Sequence, residues 1–311
     1  MFKYPLLASR VFNTPLLCSR DLSDVAATIV MNGNSAEMAV KPPAPDSVAP
    51  AATIVNGVGV IPITGALTNK QTMMDAMCGT LNSYDALRSQ VESFEANPNV
   101  KTILFDICSG GGEAAGCFAF ASYIANEVTK PTISYCNELT CSAAYAIASA
   151  CDYVYASANA SVGSIGVVMN LFNVTENLKQ QGVTVHTIQG GANKTIGSPF
   201  HPLSDSDLEY LQGVVNAMYD EFCSLVATNR GLSVQSIRNT EASVYTSQNA
   251  KSAGLIDGIR TLTELREELG IQTATKPDAV IVTAENENKL SGYSDVLALL
   301  KANQNKYIIK V

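Results

Sequence analysis

Positive charge is scarce in this chain. Its 311 residues carry 20 Lys and Arg against 28 Asp and Glu, giving a net charge of −8. Phosphate affinity comes from clustered cations, so this balance argues against a general nucleic-acid binder, and no block of like charges marks a basic arm or an acidic tail. A long apolar run is also missing. No stretch approaches the roughly 20 residues that span a bilayer, and Pro5 and Arg10 interrupt any apolar leader after Met1. Histidine occurs only at His186 and His201. The eight cysteines (Cys18, Cys78, Cys108, Cys117, Cys136, Cys141, Cys151, Cys223) form no CxxC pair and no Cys/His cluster, which excludes the usual zinc patterns. Their scatter through apolar segments reads as buried thiols in a reducing compartment. These absences describe a soluble, cytoplasmic chain with no implied metal or organic cofactor.

What is present is apolar material. Hydrophobic residues make up 47% of the chain, enough for a sizeable core in one large α/β domain or two smaller ones. The Pro/Ala-rich stretch from Lys41 to Ala52 reads as an extended linker. It separates an N-terminal arm (1–52, linker included) from a folded domain (53–270), and a polar extension follows (271–311). Asn56-Gly57 between two apolar runs predicts a type I′ hairpin, because both turn positions need positive φ. Tyr84, Leu87, Val91 and Phe94 share one helical face, which Asn97-Pro98 ends. Thr102–Ile107 reads as a buried strand, after which Gly110–Gly112 opens a helical stretch to about Val128. Further strands are expected at 132–136, 152–156, 164–169 and 183–188. Helices are expected near 142–149 and 174–181, and a long one carries the stripe Leu208, Leu211, Val215, Met218, Phe222 and Leu225. A helix over 246–253, a strand after Gly258 and a last helix over 261–269 complete the series. Repeated strand–helix alternation implies a largely parallel sheet with helices around it. No internal repeat is apparent.

Several residues are candidates for chemistry. Ser109-Gly-Gly-Gly-Glu113 follows a strand, and its glycines let backbone amides face a cavity that holds a phosphate or an oxyanion; a ligand-free tight turn explains it equally well. It has neither the GxGxxG spacing of a dinucleotide site nor the ending of a P-loop. Ser142, in Cys141-Ser-Ala-Ala-Tyr145, stands at a helix start, where a serine is ordinarily an N-cap. Its small neighbours also allow another backbone to approach the hydroxyl. Cys141 is a rival nucleophile, although neither histidine lies near it in sequence. Lys194 lies on a loop after a strand and reads, alone, as a solvated charge.

Taken together, Ser109-Gly-Gly-Gly, Cys141-Ser-Ala-Ala-Tyr, Ala160-Ser-Val-Gly-Ser-Ile-Gly-Val167, Gly190-Gly-Ala-Asn-Lys-Thr-Ile-Gly-Ser-Pro199 and the segment Val244–Gly258 resemble the signal peptide peptidase A (protease IV) family of serine peptidases. The resemblance covers about residues 55–265, and Lys194 follows Ser142 by 52 positions, as in the family's single-domain members. Within the family the chain is most similar to the capsid-maturation proteases of lambda-like tailed phages, by its arm (Ala8–Leu16), its Pro-rich linker and the lack of an anchor. One departure is Gly110, where the family usually has proline.

This resemblance implies a crotonase/Clp-protease-like α/β fold and a Ser–Lys dyad, with Ser142 as nucleophile, Lys194 as general base and Ser164 orienting the lysine. The amides of Gly112 and Ala143 would hold the oxyanion, with Gly111 shaping the turn. A lysine base must be neutral, and moving a lysine from about 10.4 to about 7 costs roughly 4–5 kcal/mol, which burial can supply. The implied substrates are phage scaffold, portal or coat proteins, cut in the host cytoplasm or inside the procapsid by a homo-oligomer. Two other readings fit part of the pattern. A crotonase-like acyl-CoA hydratase or isomerase would use the same glycine turn with Glu113 as carboxylate. A non-catalytic capsid scaffold component would keep the fold alone.

Overall fold

The computed structural model describes residues 11–12, 14–20, 23–24, 52–70 and 82–271. The chain divides into two units, Met1–Leu265 and Arg266–Val311. Nearly all of the expected linker and all of the polar extension beyond Ile271 lie outside the described residues. In the first unit, strand β1 (Leu16–Cys18) belongs to the arm. The hairpin β2 (Thr53–Val55) and β3 (Val58–Thr64) turns at Asn56 and Gly57, whose φ values are 49° and 84°, as a type I′ turn requires. Short β4 (Leu67–Thr68) and β5 (Asn82–Ser83) precede helix α1 (Tyr84–Ala96), capped by Ser83 and buried along Tyr84, Leu87, Val91 and Phe94, the stripe read from the sequence. The chain continues through β6 (Thr102–Ser109), β7 (Gly111–Glu113), α2 (Cys117–Glu127), β8 (Thr132–Cys141), α3 (Ala143–Ser149), β9 (Tyr153–Ala156) and β10 (Ser161–Gly163). Next come α4 (Thr175–Gln180), the long α5 (Asp205–Arg230), α6 (Val234–Arg238), β11 (Val244–Thr246), α7 (Ser247–Ser252), β12 (Gly258–Ile259) and α8 (Leu262–Glu268).

The larger sheet runs β11-β10-β8-β6-β3-β2, with β9 on β8 and β12 on β9; the smaller runs β1-β7-β4-β5. Pairing is parallel except for β2 on β3, β10 on β11 and β1 on β7. Mostly parallel sheets with surrounding helices match the expected fold class. β3, β6 and β8 supply buried Ile61, Ile63, Ile103, Phe105, Ile107 and Cys136, and α3, buried along its whole length, packs into the same core.

Three local expectations are corrected. Gly111–Glu113 is a strand and not the opening of a helix: it lies between β1 and β4, whose backbones it pairs with, and the helix begins only at Cys117 after Gly116 at φ 84°. Residues 164–169 form no strand of their own; the strand ends at Gly163, and Val168 contributes an isolated bridge. Residues 183–188 are exposed throughout, and among the described residues no strand edge pairs with them.

Candidate active site

The site is built where β8 stops. This strand runs unbroken to Cys141, longer than its sequence suggested, and α3 starts at Ala143, so a single residue must turn the chain. That residue is Ser142, at φ 56° and ψ −119°, and its side chain makes no cap hydrogen bond. Such a backbone costs a non-glycine residue about 1–3 kcal/mol and is retained where surrounding structure over-determines it. Here the Ser142 amide donates to the Gly163 carbonyl (2.8 Å), Ala146 donates back to the Ser142 carbonyl (2.9 Å), and the residue is fully buried. The N-cap reading is thereby set aside. A strand-to-helix turn that holds a serine in a strained backbone is the geometry of a nucleophile elbow.

Ser164 meets the same place from the neighbouring strand. β8 and β10 are parallel with Cys141 opposite Gly163, so Ser142 and Ser164 leave the sheet side by side. Ser164 also has positive φ (52°), after Gly163 at 123°, and its amide donates to the Ser243 carbonyl at 2.9 Å. The Ser142 hydroxyl contacts the Gly166 carbonyl at 3.4 Å, a long hydrogen bond. The third sequence candidate stands apart. Lys194 lies on a 3-10 turn (Ala192–Thr195) and is exposed, and among the described residues no hydrogen bond joins it to Ser142 or Ser164.

The glycine turn is held by Ser109, whose hydroxyl donates to the Gly65 carbonyl (2.6 Å) and accepts from the Gly111 amide (3.1 Å). Sequence reasoning gave this serine no role, and its place at the end of β6 before three glycines was the available signal. Gly111 has φ 100°. A β-carbon on it would stand 2.2 Å from the Leu17 carbonyl oxygen and 3.0 Å from the Ala143 amide nitrogen. One on Gly112 would stand 1.9 Å from the Leu67 carbonyl oxygen. Glycine is therefore required at both positions by backbones passing on either side, and the Gly111 turn lies against the Ala143 amide.

The competing groups have other occupations. Burial pushes the Cys141 thiol up to about 12, which leaves it protonated and a poor nucleophile near neutrality. His186 is exposed, and the His201 ring pairs with the Thr187 hydroxyl (2.8 Å). A Glu113 carboxylate oxygen accepts from the Asn69 amide (2.7 Å), and its carbonyl accepts from the Tyr84 hydroxyl (2.7 Å). Those contacts tie the turn to β4 and α1.

Residues 124–276 match the model of peptidase family S49. The chain carries a peptidase family S49 domain. Its fold is the Clp-protease/crotonase-like one, as expected. The match takes in Ser142, Ser164 and Lys194, and the glycine turn lies upstream of it. The chain is 33% identical over 250 residues to the head-tail preconnector protein GP5 of Enterobacteria phage P21, covering 80% of this chain and 47% of that protein. It is 34% identical over 212 residues to the capsid assembly protease C of Escherichia phage lambda, covering 68% of this chain and 48% of that protein. It is also 32% identical over 205 residues to a putative protease of Methanocaldococcus jannaschii, covering 65% and 66%. The chain thus spans about half the length of the two phage relatives.

Proposed function

We propose that this S49 chain is a serine endopeptidase that processes phage head proteins, with Ser142 as nucleophile and Lys194 as general base. The observation that carries the reading is Ser142 itself, a buried serine at positive φ with no capping bond, beside a glycine turn and a second positive-φ serine. In the proposed reaction Ser142 Oγ attacks the scissile carbonyl and gives its proton to neutral Lys194. The amides of Gly112 and Ala143 receive the oxyanion, and Gly111 keeps the turn open. The protonated lysine then gives its proton to the leaving amine as the C–N bond breaks. Water, deprotonated by the now neutral lysine, hydrolyses the acyl-enzyme, and the proton returns to Ser142 Oγ. Ser164 orients the lysine amine.

Lys194 is exposed in the single chain, whereas a neutral lysine needs burial. The segment before it carries exposed Val183, Val185 and Ile188, and α5 exposes Leu208 and Tyr210. A second copy of the chain covering this surface would both bury the apolar groups and desolvate the base, so the proposed active form is a homo-oligomer. The relatives named for capsid assembly and head-tail connection support scaffold, portal or coat proteins as substrates, cut in the host cytoplasm or within the procapsid. The proposed division of labour is an arm and linker (1–52), a peptidase domain (53–270) and an extension (271–311).

The test is a serine-directed acylating probe, with coexpression of candidate head proteins and mapping of new termini. Labelling confined to Ser142, and head-protein cleavage lost in both Ser142→Ala and Lys194→Ala, is the expected result. Full cleavage by Lys194→Ala would remove the dyad.

A further inference from the structure

The arm strand β1 lies in an unusual place. It pairs antiparallel with β7, the strand made by the glycine turn, with Leu17 opposite Gly112 and Cys18 opposite Gly111. Ser19 donates to the Gly110 carbonyl at 2.7 Å, and antiparallel alternation then sets the Gly112 amide against the Leu17 carbonyl. On the other edge Leu16 exchanges both backbone hydrogen bonds with Val168, at 2.8 and 3.0 Å. The segment is therefore gripped from two sides by main chain, as an extended peptide is when it is bound by strand addition. The Leu17 side chain is fully buried and belongs to the main hydrophobic core. The Leu17 carbonyl oxygen and the Ala143 amide nitrogen both flank the space a Gly111 β-carbon would fill.

Resting on the peptidase reading above, we propose that Leu16–Cys18 occupies the substrate cleft as an internal competitor. Leu17 fills the pocket for the residue preceding the scissile bond. The cleft accordingly selects an extended segment with a leucine-sized apolar side chain at that position. The sequence carries a matching sign that the expectation of no repeat passed over: Pro15-Leu-Leu-Cys-Ser-Arg20 repeats Pro5-Leu-Leu-Ala-Ser-Arg10 with one change. The arm therefore carries the segment that fits the cleft in two copies, and any substrate must displace the one seated there.

The probe is an internally quenched peptide with the sequence of residues 12–20, Phe-Asn-Thr-Pro-Leu-Leu-Cys-Ser-Arg, given to the full chain. Leu17→Arg evicts the side chain from its pocket, and Leu16→Pro removes the amide that donates to Val168. A tethered competitor acts at millimolar effective concentration, so either variant is expected to lower KM for the peptide about tenfold or more with kcat unchanged. Folded variants with unchanged KM, or with reduced kcat alone, would make β1 a scaffold strand and overturn the proposal. A second readout is independent of catalysis and of both variants. In Ser142→Ala, millimolar unlabelled peptide should accelerate hydrogen exchange in the fragment holding Leu16 and Leu17. Protection unmoved by the peptide overturns the proposal even where no chain cleaves anything. Loss of cleavage in every chain with that exchange response intact would instead sink the peptidase reading and leave the cleft assignment standing.

Discussion

Ser142 at φ 56° gives the site a thermodynamic signature as well as a chemical one. Such a backbone costs a non-glycine residue about 1–3 kcal/mol, and glycine escapes the cost. Ser142→Gly is therefore expected to be more stable than Ser142→Ala by about 1 kcal/mol, roughly 2–4 °C in Tm for a domain of this size. Both variants should be blind to the acylating probe; equal melting temperatures would mean that the turn relaxes without strain. A companion prediction concerns its neighbour. With its thiol pushed up to about 12 by burial, Cys141 should resist alkylation at pH 8 in the folded chain and react once the chain is unfolded. Rapid native-state modification would return Cys141 to contention as nucleophile. The residue types at this site were legible in the sequence, but the strain was not. A serine before Ala-Ala-Tyr reads equally well as an N-cap, and only the full length of β8, ending at Cys141, forces Ser142 to make the whole turn alone.

At the scale of elements, the closing segment from Val244 to Gly258 acts as a brace for the site. β11 pairs with β10 just before Ser164, and Thr246 caps α7, whose first residue, Ser247, donates to the Ser157 and Ala160 carbonyls. Farther on, Leu255 accepts from the Tyr145 hydroxyl of α3 at 2.7 Å. Asp257 takes both outer nitrogens of Arg230 (2.7 and 3.1 Å) and the Val154 amide (2.7 Å). Burial alone would raise this carboxyl. The Arg230 and Val154 hydrogen bonds outweigh it and hold Asp257 below the ordinary carboxylate range. A depressed carboxyl contributes stability that is present above its unfolded value, about 3.9, and is lost as pH falls through the folded one. Because Asp257 is partly exposed, Asp257→Asn is expected to cost about 2 kcal/mol at pH 7, below the usual loss for a fully buried pair. Denaturant melts from pH 7 to pH 3 should show that difference shrinking; a gap constant with pH would mean the ion pair contributes nothing beyond packing. Helix α1 was readable because its stripe and its caps agree. β7 was misread because three glycines after a strand look like a helix entry, and the strands that claim Gly111–Glu113 come from distant parts of the chain.

Across the molecule, burial is uneven. Sheets, α2 and α3 share one core, yet the long α5 buries only Phe222, Cys223, Val226 and Ala227, all in its C-terminal half. The sequence stripe runs from Leu208 onward without a break, so periodicity alone could not separate the half that meets the core from the half that does not. The same holds for residues 183–188, whose alternating pattern predicted a strand, while among the described residues no edge pairs with it and Ile188 is fully exposed. The homo-oligomer proposed above would bury this pattern against a second copy, on the elements flanking Lys194. Burying two such side chains is worth roughly 1.5–3 kcal/mol each, so Ile188→Asp combined with Leu208→Asp should raise the dissociation constant of self-association by about two orders of magnitude or more. Sedimentation velocity over a concentration series would measure the shift, and the labelling rate of Ser142 should fall with the assembled fraction if assembly desolvates the base. A double variant that stays monomeric and labels at the full parental rate would separate catalysis from assembly and place the desolvation of Lys194 within a single chain.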